Sequence, residues 1–227
     1  MKRNIITTAD GSKTIQIEGW NEQYHSIHGA INEANHVFLK HGLLFYSQNK
    51  LEAKPISILE IGFGTGLNSF LTLIEGEKQS LNIDYVGVEA YPVLAKEIKQ
   101  LNYGELISKD HASMFLEMHN IEWEKPTYIS PDFKLEKQQK FFKDISDISK
   151  YNIVYFDAFG ARVQPDLWSE EIFEIMYKAL KLNGVLVTYS AKGSVRRAMQ
   201  AVGFEVERLP GPPGKREMLR ATKHSTI

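Results

Sequence analysis

The residues Ile56-Ser57-Ile58-Leu59-Glu60-Ile61-Gly62-Phe63-Gly64-Thr65-Gly66 carry the strongest fold signal in this chain. The first part of this stretch is mostly apolar, which predicts a buried strand, and the alternating glycines predict a tight turn. Residues 67–74 then have the composition of a helix. Glycine lets the backbone turn sharply and approach a ligand closely. A strand, a glycine-rich turn and a helix in this order are typical of a nucleotide-binding unit.

Strand and helix patterns alternate along the rest of the chain. Predicted strands cover residues 56–61, 83–88, 133–137, 151–156, 185–189, 204–208 and 217–221. Predicted helices cover residues 67–74, 92–100, 111–119, 169–181 and 194–202, and residues 122–131 are expected to form an insertion loop. Ser169 is the expected N-cap of the fourth helix, which should stop at Asn183-Gly184. This alternation predicts a Rossmann-like α/β fold: a mostly parallel sheet with helices on both faces and a C-terminal antiparallel strand.

The composition limits the functions that the chain can have. Its 227 residues are 43% hydrophobic, enough for one sizeable core, and we expect a single domain with residues 1–54 as an N-terminal extension. The sequence has no cysteine, which excludes disulfides, thiolate metal sites and a cysteine nucleophile. No apolar run approaches the roughly 20 residues of a membrane helix, and the N-terminus lacks the apolar region of a secretory signal. We therefore expect a cytoplasmic protein.

The glycine turn leaves three kinds of role open. A dinucleotide-binding fingerprint would have its third glycine at position 67, where this chain has Leu67. Glycines at 62, 64 and 66 with Glu60 upstream therefore favour a cationic nucleoside over NAD or FAD, and a purely structural turn is the third alternative. Glu89 ends the next predicted strand, where a carboxylate can accept hydrogen bonds from both ribose hydroxyls; otherwise it is an exposed acid at a strand end.

The second group of candidate residues is Asp157-Ala158-Phe159-Gly160, directly after a predicted strand. In a parallel sheet this position lies at the carboxyl end, beside the expected ligand. A carboxylate there can accept a hydrogen bond from an amine and orient the nitrogen lone pair. Phe159 can stack on a flat ring or line the site. The alternative role of Asp157 is that of an ordinary turn or helix-cap residue.

The remaining candidates are histidines and a basic C-terminal segment. Seven histidines occur without the spacing of a metal site, so we expect no metal. Residues 181–227 hold nine Lys and Arg against three Asp and Glu, and such an excess favours a polyanion partner. The basic residues expected at the rim of the site, the last two of them in an exposed loop, are Lys192, Arg196, Arg197, Lys215 and Arg216. Alternatively, Arg196 and Arg197 cap a helix or pair with Glu205 and Glu207.

Six blocks of the sequence resemble a known family. They are Tyr24–Leu39 (YHSIHGAINEANHVFL), Glu60–Asn68 (EIGFGTGLN), Asp157–Trp168 (DAFGARVQPDLW), Thr188–Met199 (TYSAKGSVRRAM), Gly203-Phe204 and Gly214–Leu219 (GKREML). The chain resembles the methyltransferases of bacterial tRNA wobble-uridine modification, which occur alone or as one half of a bifunctional protein. The resemblance implies a Rossmann-like class I methyltransferase fold. The chain departs from the family at Lys140-Phe141-Phe142, where an acid usually reaches adenine.

The resemblance also implies an activity and, together with the charge pattern, a set of site residues. The activity is N-methylation of a 5-aminomethyl group on the wobble uridine of tRNA, with S-adenosyl-L-methionine as cofactor and Asp157 at the acceptor amine. The residues expected at the cofactor are Glu60, Gly62, Gly64, Thr65, Gly66, Asn68, Glu89, Asp157 and Phe159. Those expected at the tRNA are Tyr24, Phe159, Trp168, Lys192, Arg196, Arg197, Lys215 and Arg216. A separate enzyme would install the aminomethyl group.

Three other functions stay open at this point. The chain is alternatively a methyltransferase for another amine or nucleobase, a nicotinamide oxidoreductase, or a non-catalytic nucleotide-binding module. Leu67 argues against the oxidoreductase, because it replaces the glycine that a dinucleotide needs. In a non-catalytic module, the Asp157-Ala158-Phe159 sequence at a strand end would be a coincidence.

Overall fold

An eight-stranded sheet forms the centre of the computed structural model, in which residues 2–48 and 55–225 are described. The strands are β1 (Arg3–Thr7), β2 (Lys13–Ile17), β3 (Glu22–Gln23), β4 (Ile56–Ile61), β5 (Ile83–Val88), β6 (Thr127–Ser130), β7 (Phe133–Gln138), β8 (Tyr151–Phe156), β9 (Leu180–Thr188), β10 (Glu205–Pro210) and β11 (Glu217–Thr222). The first three form a small antiparallel sheet, and the others form the large sheet in the order β10-β11-β9-β8-β4-β5-β7-β6. Its central strands, from β9 to β7, run parallel, and antiparallel strands flank them at both edges.

Helices cover both faces of the large sheet. They are α1 (Ala30–Ala34), a π-helix (Asn35–Leu44), α2 (Phe45–Gln48), α3 (Leu67–Lys78), α4 (Ala95–Ile98), α5 (Tyr103–Ile107), α6 (Ala112–Asn120), α7 (Glu170–Ala179) and α8 (Gly193–Ala201). Side chains alternate between the faces along a strand, so the neighbours Ile58 and Leu59 enter different hydrophobic clusters. One cluster contains residues of the π-helix, α3 and α6, and the other contains residues of α7 and α8. The predicted Rossmann-like fold is therefore confirmed.

Residues 30–48 pack directly on the parallel strands. The ring centroid of Phe38 lies 5.1 Å from that of Tyr155 on β8. Gly42 faces the same ring so closely that a Cβ at this position would lie 3.0 Å from it, which means that a larger residue would hold the helix away from the sheet. The described part of the expected N-terminal extension thus completes the core, and residues 49–54 lie outside the described residues.

The predicted insertion loop at residues 122–131 is wrong. Thr127–Ser130 is the edge strand β6, which pairs antiparallel with β7. The β-branched residues of this segment suit a strand, and Pro131-Asp132 forms the turn that connects it to β7. The strand has four residues, too few for a clear alternation of apolar and polar side chains.

Two predicted helices are shorter in the structure. Helix α7 begins after the predicted N-cap Ser169, whose hydroxyl accepts the Ile172 N–H, but the helix ends at Ala179 and β9 starts at the next residue. Asn183, at φ 59°, therefore marks an irregularity within β9 and not the end of a helix. The predicted helix at 92–100 is reduced to the single turn α4. Of the helices in the described ranges, none is long and apolar enough to span a membrane.

Gly87 of β5 provides a test of how tightly the sheet packs against the glycine turn. A Cβ at this position would overlap the ring of Phe63. Gly87→Ala should lower the free energy of unfolding by about 1–3 kcal/mol, because overpacking forces the ring from its place. Urea unfolding measures the difference. At Gly19, where an added Cβ meets nothing within 4 Å, alanine should change stability by less than about 0.5 kcal/mol. Equal stabilities of the two variants would contradict this packing.

Candidate functional site

A cleft of about 1820 Å³ opens at the carboxyl ends of the parallel strands. The glycine turn after β4, residues 89–92 after β5 and residues 157–160 after β8 border it. Residues 22–28 and Glu33 of the N-terminal layer (residues 2–48) close the other side, together with the turn between β10 and β11. From β4 the chain builds the sheet outward through β5 to β7 on one side, and it then returns to form β8 on the other side of β4. Ligands of open α/β sheets bind at such a switch point.

The backbones of β4 and β8 meet tightly where the glycine turn begins. The Asp157 N–H donates to the Ile61 carbonyl oxygen at 2.9 Å. A Cβ at Gly62 would lie 2.8 Å from the Asp157 carbonyl oxygen, and Gly62 has φ 90°, in the left-handed region. Any side chain at position 62 would therefore strain the turn and push Asp157 away.

The later glycines of the turn face opposite sides. Gly64 (φ 49°) borders the cleft, and a Cβ there would lie 3.0 Å from the Tyr24 ring. Gly66 (φ 72°) faces away from the cleft, and a Cβ there would lie 2.9 Å from Nε2 of His119. Contrary to the prediction, Gly66 is therefore a turn residue outside the cleft wall, needed because the turn passes directly beneath His119.

Buried polar residues hold the glycine turn in place. Thr65 was predicted to lie at the cofactor, but it is completely buried and does not line the cleft. Its hydroxyl lies 2.7 Å from Nε2 of His25, and its carbonyl oxygen accepts a hydrogen bond of 3.1 Å from Nε2 of His119. The ammonium of Lys137 donates to the His119 carbonyl oxygen at 2.6 Å. Burial lowers the pKa of both histidines to about 4, so they are neutral at neutral pH. Sequence reasoning missed these three residues, because no local pattern marks them.

The predicted catalytic residue Asp157 lies at the cleft and is held by Asn68 of α3. The Asn68 Nδ2 donates to Oδ2 of Asp157 at 2.8 Å and to Oε1 of Glu60 at 2.9 Å. Glu60 and Asn68 were predicted to lie at the cofactor. Each is 1% exposed and lies behind Asp157, outside the cleft lining. Burial raises the pKa of Asp157 to about 7 and that of Glu60 well above its usual range. Asp157 can therefore gain and lose a proton near neutral pH, whereas Glu60 favours its protonated form.

Glu89 lies at the carboxyl end of β5 and faces the cleft. Its Oε2 accepts a hydrogen bond of 3.1 Å from the Gly64 N–H, and its Oε1 accepts one of 2.9 Å from the Tyr91 N–H. Burial raises the pKa of this carboxyl, and the backbone N–H groups act in the opposite direction. The exposed rings of Tyr91 and Phe141 meet nearby, with centroids 6.1 Å apart. This corner of the cleft thus combines an oriented carboxylate with flat apolar surfaces.

Aromatic side chains form another wall of the cleft. The ring of Phe159 meets that of Tyr24 at 4.9 Å and that of Trp20 at 5.7 Å, both edge to face. Sequence reasoning identified Tyr24 and Phe159 but missed Trp20. The predicted stacking residue Trp168 does not border the cleft, because it is buried against Phe156. Its Nε1 donates to the Phe159 carbonyl oxygen at 2.8 Å, so Trp168 supports this wall from behind.

The turn between β10 and β11 is docked on the N-terminal layer. The His36 Nε2 donates to the Pro210 carbonyl oxygen at 2.8 Å. Lys215 forms an ion pair with Glu33, and its ammonium lies 3.8 Å from the centroid of the Tyr189 ring. Lys215, predicted to lie in an exposed basic rim, is partly buried at the cleft lining: its side chain is 32% exposed, and its ammonium contacts a carboxylate and a ring face.

The other predicted basic residues lie at the same edge of the sheet but outside the cleft lining. They are Lys192, Arg196, Arg197 and Arg216. All are exposed except Arg196, which is partly buried. The alternative pairing with Glu205 and Glu207 is not observed, because those carboxylates pair with His224 and Arg220. Lys192, Arg197 and Arg216 thus present their charges to solvent.

Comparisons with known proteins point to one family. The model of a family described as S-adenosyl-L-methionine-dependent methyltransferase matches residues 102–224. The tRNA 5-methylaminomethyl-2-thiouridine biosynthesis bifunctional protein MnmC of Leptospira borgpetersenii serovar Hardjo-bovis is 28% identical over 217 residues, covering 86% of this chain and 31% of that protein. The protein of the same name from Campylobacter fetus subsp. fetus is 30% identical over 185 residues, covering 78% and 30%. The chain thus spans about a third of the length of these relatives.

Solved structures give the same picture. The chain is similar to MNMC2 from Aquifex aeolicus, with 26% identity and a TM-score of 0.76, covering 100% of this chain and 72% of that chain. Spermidine synthase from Thermotoga maritima has 16% identity and a TM-score of 0.57, covering 99% and 69%. The second likeness concerns the fold alone.

The buried His25 makes the stability depend on pH. Its folded pKa of about 4 lies below the usual 6.5, so the unfolded chain binds more protons between these values. The stability from neutral His25 is therefore full above the unfolded pKa and is lost as the pH falls towards the folded pKa. Glutamine does not titrate. In His25→Gln the free energy of unfolding that is lost as the pH falls should therefore be smaller than in wild type by on the order of 2 kcal/mol.

Urea unfolding at a series of pH values between 7 and about 4 measures the effect of His25→Gln. The carboxyls with raised pKa values contribute the same trend, opposite in sign to that of His25, to both proteins. Parallel curves for wild type and His25→Gln would show that His25 does not titrate as a buried group.

Proposed function

Because this chain belongs to the S-adenosyl-L-methionine-dependent methyltransferase family, we propose that it transfers a methyl group to the amine of a 5-aminomethyl group on the wobble uridine of tRNA. The observation that carries the proposal is Asp157, a carboxyl with a pKa of about 7 held at the cleft. The substrate comes from the relatives, whose name specifies 5-methylaminomethyl-2-thiouridine in tRNA. The chain would act as a single domain in the cytoplasm, with residues 1–54 as its N-terminal extension.

The residues of the cleft fit S-adenosyl-L-methionine, which supplies a methyl group on a positively charged sulfur. Gly62 and Gly64 leave the backbone of the turn bare, so that a ligand can approach it closely. The Glu89 carboxylate is oriented by two backbone N–H groups and keeps lone pairs for two ribose hydroxyls. The exposed rings of Tyr91 and Phe141 offer flat surfaces for adenine, at the place where the family usually carries an acid.

Asp157 would act on the acceptor amine in two ways. Its ionised form accepts a hydrogen bond from an N–H and turns the nitrogen lone pair towards the methyl group. When bound, S-adenosyl-L-methionine would supply the methyl group and leave as a neutral thioether, so that the methylated nitrogen would carry a positive charge and one excess proton. The excess proton passes to the Asp157 carboxylate, whose pKa of about 7 lets it release the proton to water before the next turnover. The hydrogen bond of 2.8 Å from Asn68 keeps this carboxylate oriented.

The rest of the cleft suits an extruded uridine. The wall formed by Tyr24 and Phe159 offers aromatic edges and faces to a flat base. The exposed Lys192, Arg197 and Arg216 would contact backbone phosphates, which position a nucleic acid without reading its sequence. The proposed methyl transfer needs a tRNA that already carries the aminomethyl group.

Replacement of Asp157 tests the acceptor site. Asp157→Ala should lower turnover by about 10²-fold or more, because the amine loses its orienting proton acceptor. Its affinity for S-adenosyl-L-methionine should stay within roughly a few-fold of wild type. Transfer of labelled methyl to tRNA bearing the 5-aminomethyl group measures turnover, and calorimetry measures affinity. Asp132→Ala removes an exposed carboxylate from the turn at the other end of β7 and should retain full activity. Near wild-type turnover of Asp157→Ala would mean that the acceptor binds elsewhere.

Replacement of Glu89 tests the cofactor site separately. Glu89→Ala should weaken S-adenosyl-L-methionine binding by roughly 10-fold to 100-fold, since hydrogen bonds to a charged group contribute about 1.5–3 kcal/mol. Calorimetry without tRNA gives this affinity directly. Glu105→Gln, a change at an exposed acid of α5, should bind like wild type. If Glu89→Ala also binds like wild type, the ribose does not lie at the end of β5.

A further inference from the structure

An ion pair between the buried Glu33 and the partly exposed Lys215 borders the cleft beside the candidate catalytic carboxyl. The Lys215 ammonium donates to Oε1 of Glu33, whose side chain is 8% exposed, and the Ser26 N–H donates to Oε2 at 2.9 Å. The same ammonium lies 3.8 Å from the centroid of the Tyr189 ring, a cation–π distance. The Tyr189 hydroxyl donates at 2.8 Å to the carbonyl oxygen of Ala158, one residue after the catalytic position. The ion pair is therefore fixed to the wall that carries this carboxyl.

The Glu33 carboxylate is costly to bury because it loses most of its water, whereas the Lys215 side chain is 32% exposed and keeps part of its hydration. An apolar pair of similar volume would close the same gap between the N-terminal layer and the turn without this cost. The ion pair has instead a carboxylate with a hydrogen bond to each oxygen and an ammonium that also contacts the face of an aromatic ring. Because both members of the ion pair line the cleft, their charges act electrostatically on a molecule that binds there.

The groups that influence Asp157 come from the elements packed around it. They are Glu60 of β4, Asn68 of α3, Tyr85 of β5, Glu33 of α1, Tyr189 after β9 and Lys215 before β11. Lys215 is the cation of this set. Burial and the charge of Glu33 raise the pKa of Asp157, whereas the Asn68 hydrogen bond and the Lys215 ammonium lower it. The two members of the ion pair thus act on Asp157 in opposite directions.

We propose that Lys215 and Glu33 are positioning residues that select the neutral form of the acceptor amine. This inference rests on the proposed function, because it concerns an amine that must arrive with a free lone pair. The Lys215 ammonium stabilises the ionised carboxylate of Asp157 and repels an incoming ammonium. Glu33 holds this ammonium in place, and its negative charge reduces the electrostatic effect of the ammonium on Asp157. The pair therefore admits the form of the substrate that can be methylated.

Substitutions at the two positions should move the Asp157 titration in opposite directions. Lys215→Met removes a cation and should raise the midpoint by roughly one pH unit, and Glu33→Gln removes an anion and should lower it by about as much. NMR of protein with isotope-labelled aspartate carboxyl carbons measures the midpoint without substrate, and Asp157→Asn identifies the signal by its loss. Lys40→Met, at an exposed position of the π-helix, should leave the midpoint unchanged. Lys215→Arg keeps the charge and should stay close to wild type.

The same shifts should appear in the acid limb of kcat/KM for methyl transfer to tRNA. A midpoint that rises by one unit from pH 7 makes Lys215→Met about fivefold less active at pH 7, with recovery at about pH 8.5. Glu33→Gln should stay active at lower pH than wild type. A purely structural role would lower kcat at every pH and leave the limb in place. Circular dichroism checks folding, and Lys215→Gln replaces Lys215→Met if the latter does not fold.

The outcomes separate this inference from the proposed function. Midpoints that do not move, or that move in the same direction in Lys215→Met and Glu33→Gln, would overturn the role of the ion pair even if the wild type methylates tRNA. Opposite shifts in a protein that transfers no methyl group to tRNA would support the electrostatic role and reject the proposed substrate instead.

Discussion

The contact between the backbones of Gly62 and Asp157 is the constraint on which the cleft depends. Only a residue without a side chain fits at position 62, since a Cβ would lie 2.8 Å from the Asp157 carbonyl oxygen. This contact sets the distance between the glycine turn and the turn after β8. It also brings the first turn of α3 close enough for Asn68 to bond Asp157 and Glu60 together. The orientation of one carboxylate in the cleft thus follows from the absence of one Cβ.

The glycine turn has a second, buried side that must satisfy its polar groups without water. The chain meets this requirement with His25, His119 and Lys137, which bond to the turn or to one another. Burial lowers the pKa of Lys137 to about 8, and its ammonium donates to the last turn of α6. Because buried polar groups without partners are costly, this layer fixes the shape of the turn as firmly as its glycines do.

Local patterns predicted the fold and the positions of the main site residues, because apolar runs and glycine spacing are properties of neighbouring residues. They did not predict which side of the turn each residue faces. Glu60, Thr65 and Asn68 belong to the predicted motif but lie behind the cleft, since side-chain direction depends on what packs against the turn. Trp168 was expected to stack on a base and is instead part of the core.

The N-terminal layer was the least predictable part of the site, because its contacts join distant parts of the chain. His25 and Thr65, which contact each other, are 40 positions apart in the sequence. Glu33 and Lys215, which form the ion pair, are 182 positions apart. No sequence window contains both members of such a pair. This separation has a consequence during synthesis: the nascent chain acquires its glycine turn and its carboxylate long before Lys215 leaves the ribosome. The charge balance of the cleft is therefore completed only when the hairpin of β10 and β11 docks on the N-terminal layer.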